Sequence, residues 1–309
     1  MTMHVLLTGV SGFIGQELVK KLLEKNFHVT CTFRETQPRD ITSLSNNKNF
    51  KLIQCDLLDT TQVDSLFKQN AFDGVFHLAG QTLRKNVTEP NIYIQSNFNI
   101  TLNLLEDCRN HGVKKFVLSS SIATYGLSPG QNIPEYFPVD EKHKVLPYDF
   151  YDLSKYFAEK LCLYYFERFG IVSSVLRYSR VFGPLMDKGL FYVVTKNALQ
   201  NNPINVNGDV STDFVYVDDV VQANILSFEN SKKFDIFNIG SGDVITLFEI
   251  AQEIVAITKS NSEIIFTAEP KSRFSLDISK AKKLLNYSPI SVKQGLKEVV
   301  NHIQHSSHV

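Results

Sequence analysis

The sequence predicts an α/β fold, a doubly wound parallel sheet followed by a smaller α/β lobe towards the C-terminus. Three observations lead there. Short apolar runs alternate with amphipathic stretches over roughly the first 180 residues, a glycine triplet lies where the first run gives way to the first amphipathic stretch, and the rhythm shortens after Gly183-Pro184. Repeated strand-then-helix order is what a parallel sheet requires, because parallel neighbours can be joined only by a crossover. At roughly 150 residues per domain, 309 residues make one large or two modest domains. A hydrophobic content of 43% supplies a core and excludes a disordered chain.

In chain order, strands are expected at His4–Thr8, Val29–Phe33, Phe50–Cys55, Gly74–Leu78 and Phe116–Leu118. The helical stretches between and after them are Phe13–Lys25, Thr61–Lys68, Ile92–Cys108 and a segment from Tyr151 to Phe169. Residues 1–183 form the expected dinucleotide-binding domain, with a later segment, about 212–242, returning to it; residues 184–309 form mainly a substrate-binding lobe. In that lobe strands are expected at Ile204–Val206, Phe214–Val217, Asp235–Ile239 and Glu263–Phe266. Two helix starts carry capping-box patterns, Thr246-Leu-Phe-Glu249 and Ser291-Val-Lys-Gln294, in which side chain and backbone satisfy each other's end groups. His302, His305 and His308 near the C-terminus lack a carboxylate or cysteine partner, so a solvated end explains them better than a metal.

Thirty-two basic residues balance 32 acidic ones, so the basic excess of a nucleic-acid or anionic-membrane binder is missing. No apolar run approaches the ~20 residues needed to span a bilayer, and the N-terminal residues show no signal-peptide pattern. Cys31, Cys55, Cys108 and Cys162 have no metal-binding spacing and suit buried free thiols. A cytoplasmic protein without nucleic-acid or membrane partners and without a bound metal is the expectation.

The segment Val5-Leu6-Leu7-Thr8-Gly9-Val10-Ser11-Gly12-Phe13-Ile14-Gly15 joins the first strand to the first helix. Gly9 permits a tight turn, Gly12 lets backbone N–H groups approach a pyrophosphate, and Gly15 allows close packing of the helix, whose positive end then faces the phosphates. This is the turn of a Rossmann-type sheet. No Gly-Lys-Ser/Thr follows, which excludes a Walker loop. At the tip of the second strand Phe33-Arg34-Glu35 places an arginine where a carboxylate would select the free ribose of NAD. Arg34 therefore favours NADP over NAD, with Glu35 as a rival ribose ligand. Asp56-Leu57, past the third strand, is expected beside the adenine, although Asp56 would also suit a helix-entry cap.

Tyr151 and Lys155 are four apart on one helical face. A phenol of pKa near 10 is a poor base at neutral pH. A neighbouring ammonium, with the charge of an oxidised nicotinamide, would lower that value so that Tyr151 could exchange a proton while hydride moves. Upstream, Val117-Leu118-Ser119-Ser120-Ser121-Ile122-Ala123-Thr124-Tyr125-Gly126 ends a strand in hydroxyls, where sites in such sheets form. Ser121 is expected to hold the reacting oxygen against Tyr151.

With these motifs the chain resembles the extended short-chain dehydrogenase/reductases of the nucleotide-sugar epimerase/dehydratase type. Further segments match in order: Phe76-His77-Leu78-Ala79-Gly80, Asn97 in Tyr93-Ile94-Gln95-Ser96-Asn97, Leu176-Arg177-Tyr178, Asp213-Phe214-Val215-Tyr216-Val217-Asp218-Asp219, Phe237-Asn238-Ile239-Gly240-Ser241-Gly242 and Asp277-Ile278-Ser279-Lys280-Ala281. The resemblance implies a catalytic set of Ser121, Tyr151 and Lys155, with Lys155 also on the nicotinamide ribose. It implies cofactor contacts from Gly9, Gly12, Phe13, Ile14, Gly15, Arg34, Asp56, Leu57, Leu78, Ala79, Asn97 and Tyr178. Asn97 would support the active-site hydrogen bonds, Tyr178 would lie near the nicotinamide, and a homodimer would form through a four-helix bundle of the stretches Ile92–Asn110 and Tyr151–Phe169.

Departures from the family pattern narrow the chemistry. Ile122 and Ala123 stand where sugar dehydratases carry an acid pair, and neither exchanges a proton. The cysteine used by reductase-epimerases that make GDP-fucose is also absent there. Thr212 replaces an arginine that often clamps a substrate phosphate, whereas Arg180 stands where relatives often have asparagine. Arg180 and Arg273 are therefore expected to pair with a substrate pyrophosphate; a structural ion pair between Arg180 and an acid such as Asp213 is the competing role. The expected activity is at C4 of a nucleotide-diphosphate hexose, as a 4-epimerase or a 4-keto reductase. Reduction of a non-sugar carbonyl by NADPH and a non-catalytic nucleotide-binding scaffold are the alternatives.

Overall fold

A computed structural model describes residues 2–35, 41–83, 89–126, 134–186, 189–206, 210–266 and 272–306. Seven strands form the main sheet: β1 His4–Thr8, β2 His28–Phe33, β3 Phe50–Gln54, β4 Gly74–His77, β5 Lys115–Ser121, β6 Val172–Tyr178 and a last strand, Asp235–Ile239. Their spatial order is β3-β2-β1-β4-β5-β6 followed by Asp235–Ile239, the doubly wound arrangement in which β1 and β4 flank the switch point. Pairing is parallel between β1 and β2, β1 and β4, β2 and β3, and β4 and β5. Helices cover both faces of such a sheet, which explains why β1 and β4 read as unbroken apolar runs rather than alternating ones. Leu6, Val75 and Phe116 are fully buried in that core.

The helices follow from local sequence. Helix α1, Phe13–Glu24, buries Gly15, Gln16, Leu18, Val19, Leu22 and Leu23, the spacing of one helical face. Helix α2, Thr60–Lys68, starts at Asp59, whose carboxylate accepts hydrogen bonds from the amides of Thr61 and Gln62. The helix expected at Ile92–Cys108 is in three joined pieces: Asn91–Tyr93, a wider π-type stretch Ile94–Asn99, and Ile100–Asn110. Periodicity alone could not show that widening, which is common near functional sites. The long helix Phe150–Phe169 is capped by Asp149 and stops at Gly170, whose φ of +70° suits glycine.

Two compact units emerge from the chain. One comprises Met1–Gly126, Lys144–Arg177 and Val221–Phe237, and the other Leu127–His143, Tyr178–Val220 and Asn238–Val309. In the second unit Val210–Tyr216 pairs with Arg180–Phe182, with Val244–Thr246 and with Ser272–Arg273, while Ile204–Val206 pairs with Ile264–Phe266. Its core is aromatic: Phe182 stacks on Phe191 at 4.5 Å, and Phe191 meets Phe214 edge-on. The Thr246–Glu249 capping box forms in full. Ser291 supplies its half of the second box, its hydroxyl accepting from the Gln294 amide at 3.3 Å. His308 lies outside the described residues.

All four cysteines are free and buried. Burial pushes every thiol up, Cys55 to about 11. No helix among the described residues is long and apolar enough to cross a membrane.

Candidate active site

At the end of β1, Gly9 takes φ +79°, and a Cβ there would lie 2.6 Å from the backbone of Leu78 and Ala79. The turn therefore needs glycine twice over, for its backbone angle and for its approach to the end of β4. A Cβ at Gly15 would sit 2.3 Å from the carbonyl oxygen of Gly9, so this glycine packs α1 against the turn itself. Gly12 precedes α1 in extended conformation with no side-chain cap, and the first turn of the helix carries no acid. Open amide donors at a positive helix end fit the pyrophosphate of a dinucleotide. Phe13 and Ile14 are half-buried beside this turn.

At the tip of β2, Arg34 pairs with its neighbour Glu35 at 3.0 Å, both exposed. The two rival ribose ligands thus meet each other. Asp56 is not the cap of α2, which is Asp59; its carboxylate accepts instead from the Leu58 amide at 3.0 Å. Leu57 is buried, and Leu78 and Ala79 are half-buried at the end of β4.

The three serines ending β5 each serve the long helix. The carbonyl of Ser119 accepts a hydrogen bond from the Lys155 ammonium at 2.9 Å. Ser120 donates to Glu159 at 2.6 Å. The Ser121 hydroxyl accepts from the Ala123 amide at 3.1 Å and, beside the Tyr151 phenol, favours its ionised form. Tyr151, Lys155 and Glu159 are successive members of one i, i+4 stripe, so one strand end fixes the stripe. Tyr151 and Lys155 keep some surface open to solvent although protein surrounds them, as side chains in a recess do.

Burial pushes the Tyr151 phenol up to about 12, and Asp152, Asp149 and Tyr93 add to that, against the favourable effect of Ser121. The Lys155 ammonium is aimed at the Ser119 carbonyl and is itself desolvated, its pKa pulled down to about 8 with Glu159 acting in the opposite direction.

Asn97 uses its whole amide within the protein. Its oxygen accepts from the Gln81 amide at 2.8 Å, and its nitrogen donates to the Gln81 carbonyl and the Ser154 hydroxyl. The residue holds the segment after β4 against the long helix. Tyr178, at the end of β6, is buried.

Sequence reasoning missed Glu159 and gave Arg177 no role. Arg177 forks onto Glu159 at 2.6 and 3.0 Å and lies 4.6 Å from the Tyr125 ring centroid, all buried. The usable signal was Glu159 standing four residues beyond Lys155, with an arginine in the next strand.

In the second unit, Arg180 has an exposed side chain and no acidic partner among the described residues. The structural pairing with Asp213 does not occur. Asp213 is fully buried and takes hydrogen bonds from the Ser241 amide at 2.8 Å, the Gly242 amide at 2.9 Å and the Ser241 hydroxyl. Burial still raises its pKa to about 6. Thr212 is buried on the same strand. The backbone of Arg273 belongs to a strand, while its side chain lies outside the described residues.

A Rossmann sheet with this glycine turn and a Ser121/Tyr151/Lys155 set at the ends of its strands defines an extended short-chain dehydrogenase/reductase, an NAD(P)-dependent enzyme. Residues 5–240 match the NAD dependent epimerase/dehydratase family, and the chain belongs to it. It is 33% identical over 317 residues to a UDP-glucuronate 4-epimerase of Thermodesulfobacterium geofontis, covering 96% of this chain and 95% of that one. Among solved structures it is similar to the UDP-glucose 4-epimerase of Thermotoga maritima with UDP-glucose, with TM-score 0.86, 31% identity and coverage of 99% and 100% of the two chains. It is also similar to the UDP-glucuronic acid 4-epimerase of Bacillus cereus in complex with NAD, with TM-score 0.83, 29% identity and coverage of 98% and 97%.

Proposed function

We propose that the protein is a 4-epimerase of a UDP-hexose or UDP-hexuronic acid. The observation that carries this reading is the placement of Tyr151 and Lys155 on one helical stripe against the serines ending β5, with Lys155 donating to the Ser119 carbonyl and the Ser121 hydroxyl favouring the ionised phenol. Tyr151 takes the proton of the C4 hydroxyl and returns it after the sugar has presented its other face. Ser121 holds the reacting oxygen, and Lys155 holds a ribose while keeping positive charge near the phenol. A bound NAD(P) would supply hydride exchange at C4 and, when oxidised, positive charge for the raised phenol. Gly9, Gly12, Phe13, Ile14 and Gly15 would hold its pyrophosphate, with Asp56, Leu57, Leu78, Ala79, Asn97 and Tyr178 as its further contacts. The geometry supports the sugar reading over the scaffold reading, because a binder has no use for a proton donor held this way.

Arg34 keeps the NADP preference open for test. Its pair with Glu35 is exposed and worth little, about 0–1 kcal/mol, so a 2′-phosphate could displace the carboxylate. Arg180 is the cation offered to the substrate pyrophosphate, with Arg273 as its second. Phe157, Leu161 and Tyr164 form a stripe on the long helix, with Phe157 and Tyr164 exposed, and they support a homodimer built on that helix and the split helix. Four buried thiols accord with a reducing cytoplasm.

The deciding experiment is to purify the protein, identify the dinucleotide that accompanies it, and offer UDP-glucose and UDP-glucuronate. Interconversion at C4 without net consumption of cofactor is expected. Stoichiometric NADPH consumption would make it a reductase, and no turnover of any nucleotide sugar would remove the proposal.

A further inference from the structure

One buried group near the site has no part in the chemistry above. His77, the last residue of β4, is fully enclosed, with Nδ1 2.8 Å from the Thr8 hydroxyl and Nε2 3.0 Å from the Thr101 hydroxyl. Thr8 ends β1, immediately before Gly9, and its hydroxyl accepts the Ala79 amide at 3.1 Å. Thr101 lies in the split helix and donates to the Asn97 carbonyl at 2.6 Å. Asn97 in turn donates to the Ser154 hydroxyl, which donates to the Tyr151 carbonyl at 2.7 Å.

Donor arithmetic fixes the direction of these bonds. The hydrogen of Thr101 is spent on a carbonyl, which can only accept, so Thr101 must receive the Nε2–H of His77. A neutral ring then leaves Nδ1 as an acceptor, and Thr8 turns its hydrogen towards it while accepting from Ala79. Every group is satisfied in one arrangement. A protonated ring would put hydrogens on both nitrogens and leave the Thr8 hydrogen without an acceptor. Burial and the facing Lys155 ammonium work in the same sense, holding the His77 pKa down to about 3.

We propose that His77, in its neutral Nε2–H form, is a positioning residue that couples the glycine turn to the catalytic helix through Thr8 on one side and Thr101, Asn97 and Ser154 on the other. The coupling rests on the reading of Tyr151 as the reacting group only for its effect on turnover. Its effect on the turn is independent of that reading.

Thr8→Val and Thr101→Val each remove one link at nearly constant shape, and Thr→Ser at each position keeps it. Affinity for NADH, followed by fluorescence, is expected to fall about tenfold in either Val variant, even though Thr101 lies on the split helix. The double variant should fall about tenfold rather than a hundredfold, since cutting one chain twice adds little. The Ser variants should retain the affinity of the unmodified protein. Imidazole ¹⁵N shifts of His77 in the unmodified protein should show hydrogen on Nε2 at neutral pH. Hydrogen on Nδ1, or additive losses in the double variant, would overturn the proposal. Should the Val variants fail to fold, the ring shifts decide it alone. Failure of all sugar turnover would remove the epimerase reading but leave both readouts intact.

Discussion

The glycine turn and the long helix Phe150–Phe169 are fixed in place by opposite means. At Gly9 and Gly15 the local structure depends on having no side chain, because backbone atoms stand where a Cβ would go. Along Tyr151, Lys155 and Glu159 it depends on side chains set at fixed spacing, with Lys155 and Glu159 tied to the serines ending β5. The lesson is that changes in the first region should act through shape, and changes in the second through charge and proton transfer.

The sharpest way to sharpen that contrast is Tyr151→Phe, which removes one oxygen and leaves the ring. A loss of kcat of roughly 10²–10⁴-fold is expected, with dinucleotide affinity and melting temperature little changed. A similar loss of stability would break the distinction. Next comes Gly9→Ala. Its left-handed backbone costs about 1–2 kcal/mol with a Cβ, and the overlap with Leu78 and Ala79 about 1–3 kcal/mol more. Denaturant titration and NADH binding should both worsen, and an alanine tolerated in both would mean that the turn can relax.

Lys155 offers a pH test of intermediate size. If its cation is needed, kcat/KM should fall on the alkaline side with an apparent pKa near 8. Global stability should not follow. The folded pKa is depressed below the ordinary 10.5, so the unfolded chain binds more protons between about 8 and 10.5, and this group's contribution to stability rises with pH across that window. Activity and stability moving together there would count against a charge role. The smallest effect is expected from Arg34→Ala. Stability should change by less than about 1 kcal/mol. NADPH affinity should fall about tenfold, as loss of a charged hydrogen bond predicts, while NADH affinity barely moves; equal changes would remove the NADP preference.

Backbone-driven features were the most legible in the sequence. Gly9, Gly12 and Gly15 declare their turn because few other reasons place glycines at that spacing between a strand and a helix. Tyr151 and Lys155 share a helical face as their spacing predicts, and Ser121 stands at the end of β5 as its segment predicts. Where each polar atom points was not legible. Lys155 aims at the Ser119 carbonyl, Arg34 at Glu35, and Asp56 at Leu58, because such choices depend on neighbours brought together by folding. The Glu159–Arg177 pair and the backbone donors around Asp213 were hidden for the same reason: a charged residue in a sequence carries no sign of being buried.

The four enclosed thiols give the folded chain a practical property. Each is shielded and held in its unreactive protonated form, so an alkylating reagent should find nothing to modify until the structure opens. A cysteine introduced at an exposed position would then be a single attachment point for a fluorophore or spin probe, with no need to strip the native sulfurs first.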